Sequence, residues 1–153
     1  MTTGKLAGIA RHAQPKGPME TLGSVSVTIS EGLQGDSRSA RATLKPGRER
    51  QVSLIETACW RSALAEAAAS VDWWQSRRNL LVDGLRIPRE LGARVQIGQS
   101  LVLEVTAECD PCLRMDALHE GLKAAMMPDW RGGFLARVIE DGEVAVGDEV
   151  RIF

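Results

Sequence analysis

The sequence predicts a mainly β domain: a barrel of short, mostly antiparallel strands carrying a few helical insertions. Three observations lead there. Apolar and β-branched residues alternate over many short segments, and Gly- or Pro-containing turns separate those segments. Strands and helices do not alternate in the regular way that builds a doubly wound parallel sheet.

Each element follows in order. Residues 4–13 read as a first strand, stopped by the turn-rich Gln14-Pro15-Lys16-Gly17-Pro18. Val25-Ser26-Val27-Thr28-Ile29 alternates cleanly as a second. From Glu31 to about Arg50 the chain reads as an irregular stretch rich in Gly and Arg, and loops this long are usually functional or disordered. Residues 51–55 form another strand, and 57–69 an Ala-rich helix starting near Glu56 or Thr57. Residues 79–82 make a short strand that ends at the Asp83-Gly84 turn. Two more strands, 93–97 and 101–107, flank Gly98-Gln99. Then Asp110 suits a helix N-cap and Pro111 the first helical position, while Leu118, Leu122 and Met126 recur at helical spacing. Gly132-Gly133 breaks that pattern, and residues 134–139, 144–146 and 150–153 close the chain as strands.

Composition bounds the function. The 153 residues suffice for one domain, 1–153, with a real core. Nineteen basic against 20 acidic side chains argue against a nucleic-acid coat or a polybasic membrane binder. No apolar run nears the roughly 20 residues that span a bilayer, and the N-terminus lacks the pattern of a secretory signal. Three cysteines, Cys59, Cys109 and Cys112, are too few and too odd for a disulfide scaffold, so a reducing cytoplasm is expected.

The chemistry concentrates at Cys109-Asp110-Pro111-Cys112-Leu113-Arg114, between a strand and a helix. With Asp110 as cap, Cys112 falls in the first helical turn, where free N–H groups, the helix dipole and Arg114 favour a thiolate. A thiolate binds soft metals or attacks sulfur and carbon electrophiles. The Gly32 to Arg50 stretch adds Arg38, Arg41, Lys45, Arg48 and Arg50 as anion-binding heads, and Asp36 to orient one of them or cap a turn. Arg77, Arg78 and Asn79 precede a strand and could face the same pocket, the Asn amide suiting a polar heterocycle. Arg131 could add a basic head over Gly132-Gly133.

Several separated motifs occur here in one order: Glu31-Gly32-Leu33-Gln34-Gly35-Asp36, Arg50-Gln51-Val52-Ser53-Leu54 and Arg77-Arg78-Asn79-Leu80-Leu81-Val82-Asp83-Gly84-Leu85. Gly98 with the strand from Leu101 to Thr106, Asp110-Pro111-Cys112-Leu113-Arg114-Met115, Arg131-Gly132-Gly133 and Gly147-Asp148 follow. The ordered set resembles the MOSC domain, named for the C-terminal part of molybdenum-cofactor sulfurases, as a stand-alone bacterial-type member. The resemblance implies a barrel fold and one key cysteine, matched here by Cys112 with Arg114 in the basic position. In relatives that carry molybdenum cofactor (molybdopterin), that cysteine ligates the metal. Some reduce N-hydroxylated compounds with electrons from a partner protein; others are proposed to carry sulfur. The expected cofactor contacts are Arg50, Arg78, Asn79, Arg41, Asp36, Arg114 and Arg131, with Cys112 as metal ligand and catalytic residue.

Other readings stay beside this one. Cys112 could instead hold a persulfide received from a sulfur-donor protein, or the domain could be a non-catalytic accessory binder. Cys109 is read as a packed thiol more than as a second ligand. A zinc site from Cys59, Cys109, Cys112 and His119 is disfavoured, since structural zinc sites usually bring two knuckle-like pairs and His119 falls two turns into the helix. His12 and His119 are read as solvent-facing or structural. Trp73 and Trp74 are read as core or surface patch.

Overall fold

A computed structural model describes residues 3–43 and 50–153. Its centre is a closed barrel of seven strands. These are β1 (Thr3–Arg11), β5 (Val52–Glu56), β6 (Leu80–Asp83), β7 (Arg94–Ile97), β8 (Leu101–Glu108), β9 (Phe134–Glu140) and β11 (Glu149–Ile152). They run in the order β11-β7-β8-β9-β5-β6-β1, and β1 returns to β11 to close the ring. All neighbours are antiparallel except β5 and β6, which are parallel and pair Leu54 with Leu80. That parallel pair needs a crossover, and helix α2 (Thr57–Ala67) supplies it. Short β2 (Glu20–Leu22) extends β1. A second sheet of β10 (Gly142–Ala145), β3 (Ser24–Thr28) and β4 (Gly32–Leu33) packs Val25, Val27, Leu33 and Val144 against the barrel core.

The period of two along each strand decides what is inside. Leu54 on β5 and Leu80 and Val82 on β6 point into the barrel with Leu6, Leu103, Phe134 and Val150. Their neighbours Ile55 and Leu81 point outward and meet Trp60, Met115, Leu122 and Met126. Both faces of β5 and β6 are therefore covered.

Three sequence expectations are corrected. The stretch from Glu31 to Arg50 is ordered as β4 and helix α1 (Ser37–Thr43) over its described part; Lys45 and Arg48 lie outside the described residues. Asp36 makes that order, its Oδ2 accepting from Ser39 N at 2.9 Å as a helix cap and its Oδ1 from His12 N at 3.1 Å. Gly32, at φ +68°, leaves room for Ser39, whose hydroxyl donates to the Gln51 carbonyl. Next, the single helix expected after Cys112 is two, α3 (Leu113–Leu118) and α4 (Leu122–Met126), broken at Gly121 with φ +88°.

Finally, α3 starts at Leu113, so Cys112 is its cap residue, extended at φ −115° and ψ 176°. Asp110 and Pro111 lie before the helix. Cys109 N donates to the Gly133 carbonyl at 2.9 Å, and the Cys109 carbonyl lies against Gly132. This holds the chain extended to Cys112.

Candidate functional site

The ends of β1, β5 and β6 meet α1 and the start of α3 around a cavity of about 240 Å³. Six arginines line it, Arg38, Arg41, Arg50, Arg77, Arg78 and Arg114, together with Lys16. Among the described residues Asp36 is its one carboxylate, and both oxygens are taken up by backbone N–H groups. Cys112 also lines it and is exposed.

Several arginines elsewhere in the fold have acidic partners. Arg11 bonds Glu20, Arg94 and Arg137 bond Glu104, Arg89 bonds Glu56, and all lie outside the lining. Among the described residues, none of the six lining arginines has an ion pair. Packing cations together without counter-charges is unfavourable. Burial lowers the pKa of Arg50, and the guanidiniums of Arg38 and Arg78 add to that; the thiols of Cys109 and Cys112 oppose it. Burial also lowers Arg77, with Arg114 and Arg38 contributing. Both remain cations, and an anion would relieve their repulsion.

Arg78 is the most constrained of the set, at 6% exposure. Its Nε donates to the Gly132 carbonyl and its Nη1 to the Ser76 carbonyl, each at 2.7 Å. Its buried Nη2 has no hydrogen-bond partner among the described residues. The other such atom among the described residues, Arg89 Nε, at least stands 3.7 Å from the Asp129 carboxylate. An orphaned guanidinium N–H on a cavity wall is a costly feature unless a ligand completes it.

Asn79 lines the cavity, yet its amide is already engaged. Oδ1 accepts from Ser53 N at 3.0 Å and Ser53 Oγ at 3.1 Å, and Nδ2 donates to the Ala10 carbonyl at 3.1 Å. It therefore ties β5 and β6 to β1 instead of presenting a free amide. Asp36 likewise caps α1 and orients no arginine. Arg131 stands outside the lining, bonded to Glu66 at 2.7 Å and to the Ala125 carbonyl at 3.0 Å. Arg41 and Arg114 are in the lining and exposed.

At Cys112 the source of positive potential differs from that expected. A helix of six residues contributes a small field; the neighbouring guanidiniums supply the positive potential instead. Cys109 is buried outside the lining. Cys59 is distant in role, its thiol donating to Glu56 Oε1 at 3.2 Å and accepting from Arg89 Nη2 at 3.2 Å. Trp73 packs its indole over Gly8, where a Cβ would not fit. Sequence reasoning passed over His12, Lys16 and Ser76, all of which line the cavity. Only the position of His12 at the end of the first strand hinted at it.

The family model described as MOSC domain matches residues 41–151. No curated protein matches the chain at a significant level. Among solved structures, the YuaD protein from Bacillus subtilis superposes with a TM-score of 0.82 at 16% identity, covering 97% of this chain and 94% of that one. YiiM from Geobacillus stearothermophilus gives 0.70 at 15% identity, covering 98% and 75%. YiiM from Escherichia coli gives 0.65 at 16%, covering 97% and 69%. At such identities the likeness is one of fold.

Proposed function

Because the chain belongs to the MOSC domain family, we propose that the arginine-lined cavity binds a molybdenum cofactor, with the Cys112 thiolate as a ligand to the metal. The observation that carries this reading is the set of guanidiniums without acidic partners, above all the orphaned Nη2 of Arg78. The residues fit the group. A molybdopterin ends in a phosphate, and the held Nη2 of Arg78 with the guanidiniums of Arg50 and Arg77 offers N–H groups for its oxygens. Cys112 offers a soft anionic donor at the exposed mouth, where a substrate could reach the metal.

When bound, the cofactor supplies two-electron reduction, here of an N-hydroxylated compound, with electrons from a separate redox protein. The protein's own part is positional and electrostatic. Ser76 and Gly132 hold Arg78 through their carbonyls, so little rotamer freedom is lost when an anion binds it. Asn79 and Ser53 fix the strand ends beneath it. Exposed Arg114 and Arg41 extend the positive field to the opening. The described chain has no helix long and apolar enough to cross a membrane.

The exposure of Cys112 also favours a second reading, a persulfide on that sulfur passed on for another protein's metal centre. Elemental analysis separates the two. Protein made in a cofactor-competent host is expected to retain molybdenum, and Cys112→Ser and Arg50→Ala to lose it with unchanged circular dichroism. Sulfane sulfur with no molybdenum would favour the carrier, and full molybdenum in Cys112→Ser would overturn the ligand assignment.

A further inference from the structure

His12 is a lining residue that the proposed function leaves unused. It stands just past the end of β1, is 6% exposed, and lines the cavity beside the cations. Its Nδ1 lies 2.9 Å from the Gln14 carbonyl oxygen. A carbonyl only accepts, so Nδ1 carries the hydrogen and Nε2 is the nitrogen left to gain or lose a proton. Nε2 stands 4.0 Å from Asp36 Oδ1, beyond hydrogen-bond reach, although an imidazolium there would face a carboxylate.

Apart from the Cys112 thiol, the rest of the lining offers no comparable group, and an ordinary thiol ionises only on the alkaline side of an ordinary histidine. Arginine and lysine stay charged near neutral pH, and Ser53, Ser76 and Gln51 stay neutral. Charges surround His12 from each neighbouring element: Asp36 before α1, Lys16 on the following turn, and Arg38 and Arg41 on α1. Arg50, Arg77 and Arg78 stand beside β5 and β6, and Arg114 and the Cys112 thiol at α3. Arg11, paired with Glu20, precedes it on β1. An anion entering this cavity adds negative charge near the ring. Linkage then makes ring protonation and anion binding favour each other by the same factor.

We propose that His12 is the proton-exchanging group of the cavity, taking up a proton as an anion enters, so that anion binding tightens as pH falls through the histidine range. The inference rests on reading the cavity as an anion site. In the reductive reading it also gives His12 a task. Cleaving the N–O bond of R–NH–OH takes two electrons and two protons and yields R–NH2 and water. The separate redox protein is the source of the electrons; His12 gives one proton to the departing hydroxyl, and solvent gives the other.

The chain has two histidines, and His119 lies outside the lining with Nδ1 2.9 Å from the Glu120 carbonyl, so it serves as an internal control. The full chain, purified free of cofactor, is titrated by proton NMR from about pH 5 to about pH 8 with and without sulfate, which does not itself titrate there. Sulfate is expected to shift the His12 titration upward and leave His119 unmoved. Its affinity should be about fivefold or more higher at the acid end. In His12→Asn, whose amide can still donate to the Gln14 carbonyl, sulfate should bind without that pH dependence. Sulfate binding that ignores pH, or a His12 titration that ignores sulfate, overturns the proposal and leaves the anion site standing. No sulfate binding at any pH overturns both. The wild-type resonances decide the outcome even if the variant does not fold.

Discussion

Arg78 Nε donates to the Gly132 carbonyl at 2.7 Å, joining two motifs 54 residues apart in the chain. Gly132 also packs so tightly on the cysteine loop that a Cβ there would collide with the Cys109 carbonyl and crowd Pro111. Gly133, at φ +103°, sits as closely over the Leu54 carbonyl. The guanidinium on one wall and the loop leading to Cys112 are thus held by the same short glycine turn, and their separation is set by backbone contacts.

Gly132→Ala should therefore disturb both walls together. Overpacking of this kind costs about 1–3 kcal/mol. Urea denaturation should show the loss, and cofactor retention should fall with it. Unchanged stability and retention would mean that the turn yields easily and does not set the spacing.

Asn79→Ala should read mainly in stability. It removes the acceptor of Ser53 N and the donor to the Ala10 carbonyl at buried positions. Leaving such groups unpaired costs about 1–3 kcal/mol. Thermal denaturation should register that cost. A variant as stable as wild type but unable to bind an anion would instead show the amide contacting ligand.

The three thiols should differ sharply in reactivity. Cys112 is exposed, whereas Cys59 and Cys109 are buried. A maleimide should label Cys112 in the native protein and the other two only on unfolding. Native-state labelling of Cys59 ahead of Cys112 would contradict the arrangement.

Cys59 also sets an alkaline limb of stability. Burial, followed by its bond to Glu56 and that carboxylate's charge, raises its pKa from 9.0 to about 11. The folded state holds the proton more tightly, so this contribution is complete below 9.0 and is lost as pH rises to about 11. Denaturation midpoints should decline across that window in wild type and decline less in Cys59→Ala. Equal slopes would show that the thiol is not responsible.

The barrel was legible because alternation along β3 and β8 directly reports a half-buried strand, and because Gly-containing turns mark the breaks. Helix α1 was not, since its order depends on Asp36 reaching His12 and on Ser39 reaching the Gln51 carbonyl, contacts between distant segments. Gly121 splits α3 from α4 inside a stripe whose spacing at Leu118, Leu122 and Met126 crosses the break undisturbed. At the site, sequence identifies which residues are arginines but not which find an acid. Arg131 meets Glu66 across the fold, while Arg78 meets only carbonyls and an empty direction at Nη2. The Asn79 amide suits a heterocycle and a strand junction equally well in sequence, and here Ser53 and the Ala10 carbonyl hold it.

The central claim is that the sulfur of Cys112 joins a molybdenum centre held against the unpaired guanidiniums. X-ray absorption at the molybdenum edge, on protein loaded in a cofactor-competent host, tests it most directly. Wild type should show one sulfur neighbour of the metal more than the pterin supplies, and whatever molybdenum Cys112→Ser retains should show one fewer. Indistinguishable spectra from the two proteins, at equal molybdenum content, would contradict the account.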